Sequence, residues 1–238
     1  MKDVNVQIIK EKLQGKYVSF LGDSITTWKG ISDSLAVNNT FREKEDCPPC
    51  YPRGDVDVVE KTWWYKVVDG FGLKLLVNNA IGGSTAWGLP HIQWAACNHR
   101  CVNLHANTGE LEGTEPDVIF VCIGVNDVSW TRVTVDGFLW AYNTMIDKMC
   151  ARYPNAEIFL MNIPHPVGGW HPIEKHNAIN KIIEETGERC NLKVIRLRNS
   201  VADDGEHLTL DTLHPNAAGM DAYYRVICEE LYDYYCKK

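Results

Sequence analysis

Five short apolar runs punctuate the chain: Tyr17 to Leu21, Leu73 to Ile81, Asp117 to Ile123, Glu157 to Ile163 and Leu192 to Leu197. Most of them stop at a glycine, a proline or a polar turn, the pattern of buried strands. The third is apolar at almost every position, as a strand covered on both faces must be. Between the runs, apolar residues recur at helical spacing over Val4 to Leu13, Thr62 to Phe71, Val135 to Tyr153, Ile173 to Cys190 and Pro215 to Tyr235. Strands alternating with helices predict an α/β fold with a parallel, doubly wound sheet. Ile25 to Trp28 reads as the start of a further helix, and Trp87 to Gly113 as loop and helix.

The pattern fails between Lys29 and Glu60, which carry Gly, Pro and Asn punctuation, mixed charge and the turn Cys47-Pro48-Pro49-Cys50. We read residues 1–238 as a single domain with an irregular insertion at about 29–60. Long loops of this kind are lids, binding loops or tolerated insertions. Because this one leaves from the loop after the first strand, it is expected to wall the substrate site, with Phe41, Arg42, Tyr51 and Arg53 available to face a polar substrate.

Composition narrows the function. Of 238 residues, 45% are hydrophobic and 23% charged, with a formal net charge of -7. That charge argues against nucleic acid or an anionic membrane as the main partner. No apolar run is long enough to span a bilayer, and Met1 to Lys16 lacks the apolar core of a signal peptide, so a cytoplasmic location is expected unless a leader was removed. The nine cysteines are scattered, as reduced thiols are. The spacing of Cys47, Cys50, Cys97 and Cys101 is compatible with a structural zinc, with one or two disulfides, or with free thiols.

The candidate chemistry lies where strands end. Gly22-Asp23-Ser24 follows the first, Gly82-Gly83-Ser84 the second, Gly124-Val125-Asn126-Asp127 the third, and Asp211-Thr212-Leu213-His214-Pro215 precedes the last helix. The carboxyl ends of parallel strands are where such folds place ligands. A serine hydroxyl is a weak nucleophile and requires a base, which His214 can supply. Taken singly, each block has a plain structural reading, as an Asx turn, a turn glycine or a helix entry. As an ordered set they resemble the SGNH hydrolases, also called the GDSL esterase/lipase family, with Ile25 in place of the leucine of Gly-Asp-Ser-Leu.

The resemblance implies a three-layer α/β/α sandwich, a flavodoxin-like sheet of five strands in the order 2-1-3-4-5. The order reverses at the first strand, so the loops carrying Ser24 and Asn126 flank a crevice. It implies Ser24 as nucleophile, His214 as base and Asp211 as the group that orients the imidazole. It also implies an oxyanion hole made by the backbone N–H groups of Ser24 and Gly83 with the Asn126 amide; Asp127 itself reads as structural, holding the loop by backbone hydrogen bonds. Two internal competitors are set aside: His207, in a second Asp-x-x-His, and Ser84, in a near match to Gly-x-Ser-x-Gly.

The implied function is hydrolysis of carboxylic esters through an acyl-serine intermediate, with no cofactor and no metal. The expected partner is a small-molecule or saccharide ester. Trp28, Trp63, Trp64, Trp87, Trp94, Trp130 and Trp170 favour an acetyl ester of a carbohydrate, although Trp63 or Trp64 on its helix also fits the core. A lipid-type esterase, lysophospholipase or thioesterase is the alternative. A non-catalytic carbohydrate- or nucleotide-binding module is the alternative of another class, and the absence of a Gly-x-Gly-x-x-Gly or Walker loop counts against the nucleotide. Oligomeric state is not legible.

Overall fold

A computed structural model describes residues 6–29, 31, 51–87, 96–164, 172–200, 206–208 and 211–237. Five parallel strands form one sheet: β1 (Tyr17–Gly22), β2 (Lys74–Ala80), β3 (Val118–Cys122), β4 (Glu157–Met161) and β5 (Lys193–Ile195). Their order is β2-β1-β3-β4-β5, as the resemblance implied.

The alternation of side chains along each strand divides the core in two. Val18 and Phe20 of β1, Val118 and Phe120 of β3, Phe159 of β4 and Ile195 of β5 face one layer. That layer holds α1 (Val6–Leu13), α2 (Trp63–Gly70) and α7 (Ala217–Cys236). The intervening residues Leu21, Ile119, Val121, Ile158, Leu160 and Val194 face α3 (Cys97–Arg100), α5 (Val135–Arg152) and α6 (Ile173–Cys190). Helices on both faces bury the central strands completely, which is why β3 is apolar throughout.

The first layer is anchored by aromatic rings in register. Phe20 pairs with Phe120 and Phe120 with Phe159 across neighbouring strands, with centroids 5.6 and 5.0 Å apart. Trp63 closes on Phe20 edge-to-face at 5.6 Å. Trp63 and Trp64 are fully buried; they belong to the core and offer no face to a substrate. Both rings meet Phe20 of β1, which turns this end of α2 inward. Trp63→Ala should therefore cost about 3–5 kcal/mol of stability, measured as a lowered urea midpoint with little change in slope.

The five long helices lie within a few residues of their expected spans. Two local elements differ. Ser24–Thr26 is a single 3-10 turn, where the start of a helix was expected from Ile25 to Trp28. Its cap Thr27 is extended, and the backbone of Lys29 turns away to bond the carbonyl of Tyr51. After β3 the chain forms a further short helix, α4 (Val125–Ser129), in place of a loop. Among the described residues, no helix is long and apolar enough to cross a membrane.

Candidate active site

Ser24 opens the 3-10 turn directly after β1. The Asp23 carboxylate caps that turn by accepting the Ile25 N–H at 2.9 Å, and the Thr27 hydroxyl donates to the Ser24 carbonyl at 2.7 Å. A glycine must precede them: a Cβ on Gly22 would lie 2.5 Å from the Thr26 side chain, inside any tolerable contact. Sheet and turn together fix the Ser24 backbone.

The partner comes from the other end of the chain. Ser24 Oγ lies 2.8 Å from His214 Nε2, and His214 Nδ1 lies 2.8 Å from Asp211 Oδ2. A carboxylate can only accept, so it fixes the imidazole proton on Nδ1 and leaves the Nε2 lone pair to receive the Ser24 hydroxyl. Asp211 also organises its own loop, because Oδ1 accepts the backbone N–H groups of Leu213 at 3.1 Å and His214 at 2.9 Å. Thr212, between them, takes a left-handed φ of 57°. His214 is 6% exposed. Burial, and then the charge of Arg53, push its pKa below the ordinary imidazole value, while Asp211 pulls the other way.

A second set of groups lies at the ends of β2 and β3. Gly83 has a φ of +74°, a conformation that suits glycine. The Asn126 side-chain amide, in the first turn of α4, donates to the Ser84 carbonyl at 3.0 Å. An amide nitrogen carries two hydrogens, so this bond steadies the Gly83–Ser84 loop and leaves a second donor. Asp127 is fully buried and accepts the N–H groups of Ala86 and Trp87. It ties the same loop to α4, the structural part expected of it. Burial raises both Asp23 and Asp127 to about 7.

Neither competitor takes these places: the nitrogen that meets Ser24 Oγ is His214 Nε2. Ser84 is fully buried, its hydroxyl donating to the Ile81 carbonyl at 2.6 Å. His207 lies in a turn whose carbonyl accepts the N–H of Asn216.

Several residues here were not expected from the sequence. Arg100 gathers the loops: its guanidinium donates to the Asn79 carbonyl and side chain at 2.6 Å, and to Ser84 Oγ at 2.6 Å. Arg53, expected to face substrate, instead bonds Asp211 Oδ2 and lies against His214 Nδ1. Tyr51, also expected at the substrate, is fully buried. Its ring meets His214 edge-on at 6.2 Å and its hydroxyl donates to the Pro215 carbonyl at 2.7 Å. No local spacing marks Arg53, since its partners lie more than 150 residues away. Arg100 sits in Cys97-Asn98-His99-Arg100-Cys101, where the spacing of the thiols is the stronger local signal. Cys97 and Cys101 are buried free thiols on and just after α3; Cys47 and Cys50 lie outside the described residues. Phe41, Arg42, Trp94 and Trp170 lie outside them as well. Of the other tryptophans, Trp28 and Trp130 pack against the core clusters. Trp87 and Trp140 are 38% and 60% exposed and touch edge-to-face at 5.7 Å.

Comparison with known proteins gives a family and a shared fold. The model of the GDSL-like lipase/acylhydrolase family matches residues 20–222. No curated protein matches the chain. Among solved structures, the lipase/acylhydrolase from Enterococcus faecalis is 20% identical, with a TM-score of 0.59 over 92% of this chain and 96% of that one. A family two carbohydrate esterase from Clostridium thermocellum is 16% identical, with a TM-score of 0.65 over 93% of this chain and 64% of that one. A carbohydrate esterase family 2 enzyme from Corynascus thermopiles (Myceliophthora fergusii) is 17% identical, with a TM-score of 0.64 over 95% and 68%.

Proposed function

This chain belongs to the GDSL-like lipase/acylhydrolase family of ester hydrolases, and from that premise we propose that it cleaves acetyl esters of a carbohydrate or glycoconjugate through an acyl-serine intermediate. The observation that carries the mechanism is the continuous hydrogen-bonded chain from Ser24 through His214 to Asp211.

Ser24 Oγ attacks the ester carbonyl carbon as its proton passes to His214 Nε2. The carbonyl oxygen gains the negative charge, and the N–H groups of Ser24 and Gly83 with the Asn126 amide receive it. Collapse of the tetrahedral intermediate breaks the ester C–O bond, and the His214 imidazolium protonates the departing alkoxide. Water then enters, gives its proton to His214 and attacks the acyl carbon. The second collapse returns the proton to Ser24 and releases the acid. Asp211 stabilises the imidazolium formed in each half without taking its proton.

Two observations support the sugar. Two solved structures of the same fold are carbohydrate esterases, and Trp87 with Trp140 presents a solvent-facing aromatic pair suited to a sugar ring. Trp87 is placed for this by its backbone, whose N–H meets the Asp127 carboxylate one residue past Asn126.

The test is turnover of p-nitrophenyl acetate, glucose pentaacetate and p-nitrophenyl palmitate. The two acetyl esters should be cleaved and the palmitate should not. Trp87→Ala should raise KM for the sugar ester roughly tenfold, in line with ~1–1.5 kcal/mol for one aromatic contact, and leave p-nitrophenyl acetate unchanged. Preference for the palmitate would replace the sugar reading with a lipid-type esterase.

A further inference from the structure

We propose that Arg53 is a positioning residue for this reaction, sharing Asp211 Oδ2 with the His214 imidazole and so keeping that imidazole neutral and ready to take the Ser24 proton. The proposal rests on the reading of His214 as the base.

The Asp211 carboxylate divides its work. Oδ1 accepts two backbone N–H groups of its own loop, while Oδ2 meets both the imidazole N–H and the Arg53 guanidinium. Arg53 Nη1 also lies against His214 Nδ1. Nδ1 carries the proton directed at Asp211, so these are two donors converging on one oxygen. A proton added to His214 would create a second cation at that oxygen. A like charge at this distance disfavours the charged form of its neighbour, the direction in which Arg53 acts on His214.

The guanidinium is held there by a preassembled piece of chain. Arg53 exchanges backbone hydrogen bonds with Val56 at 3.1 Å in both directions. On one side Tyr51 donates to Pro215, and on the other Asp55 Oδ1 accepts the Ala217 N–H at 2.9 Å. Residues 51–56 thus hold the entrance to α7 at Pro215 and Ala217, immediately after His214. The charged groups that face His214 among the described residues are Asp211 from its own loop and Arg53 from this segment. Asp23, beyond Ser24, and Asp55 act on the neighbouring Tyr51. An ion pair with a partner as open as Asp211, whose side chain is 39% exposed, adds little to stability. Stability alone therefore does not account for a guanidinium placed on the proton-bearing side of the base.

The test compares Arg53→Gln, which removes the charge, with Arg53→Lys, which keeps it. The first readout is the His214 imidazole resonance, assigned as the signal missing from His214→Asn and followed by NMR through a pH titration. The second is the acid limb of kcat/KM for p-nitrophenyl acetate. In Arg53→Gln both should move up by about one pH unit, a tenfold change in proton affinity. In Arg53→Lys both should stay near the parent values. A residue that merely braced the loop would lower the plateau and leave the limb in place. The proposal is overturned if the Gln variant titrates with the parent or below it, or if the Lys variant moves as far as Gln. If the imidazole shifts as expected but no ester is cleaved by the parent protein, the reading of the site fails. If ester is cleaved and the imidazole does not shift, only the part given to Arg53 fails.

Discussion

Ser24→Ala should lower kcat for p-nitrophenyl acetate by roughly 10⁴–10⁶-fold, the range seen when the nucleophile of such a unit is removed. The fold should survive. Its hydroxyl meets His214, not a core partner, and the turn is held by Asp23 and Thr27. Circular dichroism and the urea midpoint should match the parent. Ser84→Ala is the control. It removes the bonds to Ile81 and Arg100, neither of which touches Ser24, and should retain most of the activity. If Ser84→Ala abolishes turnover while Ser24→Ala retains it, the assignment of the nucleophile is wrong.

Asp211→Asn should cost about 10³–10⁴-fold in kcat at neutral pH. An amide can present its NH₂ to the imidazole, which favours the tautomer with the proton on Nε2, where it faces Ser24. Here a second penalty arises, because the Arg53 cation would remain beside His214 with no carboxylate to offset it. The imidazolium formed in each half-reaction would then be opposed by a bare positive charge. The double variant Asp211→Asn with Arg53→Gln should accordingly recover part of the loss, whereas two independent sites would multiply their defects. Equal or greater loss in the double variant, measured under the same assay, would show that the two residues act separately.

What could be read from the sequence follows from how far each signal reaches. The five strands lie in short apolar runs closed by turn residues, and the five long helices carry their own apolar period, so composition and spacing suffice. Helix α4 has only five residues, and it is stabilised by what Asn126 and Asp127 bond in another loop. Nothing local announces it. The blocks around Ser24, Asn126 and His214 were legible because their residue types are unusual together at strand ends. The clasp of Tyr51, Arg53 and Asp55 was not, since each of its contacts to the α7 entrance spans about 160 residues. From sequence the segment reads as a wall of the substrate site. Its described part meets Asp211 and the entrance to α7, and residue 30 with residues 32–50 lies outside the described structure. The tryptophans teach a related point. Periodicity shows that Trp63 and Trp64 share a helix, but only the packing of α2 on β1 tells that both face inward.

The bond between Ser24 and His214 joins residues 190 apart, and this has a consequence for biosynthesis. A chain made from its amino end can pair β1 with β2 and β3 early, since those segments emerge first. The nucleophile is then in place, yet it has no base until α7 has been delivered and docked. Closing so long a loop is entropically costly and waits on the rest of the sheet. Catalytic competence is therefore among the last properties to appear during folding, and an incomplete chain carries an inert serine.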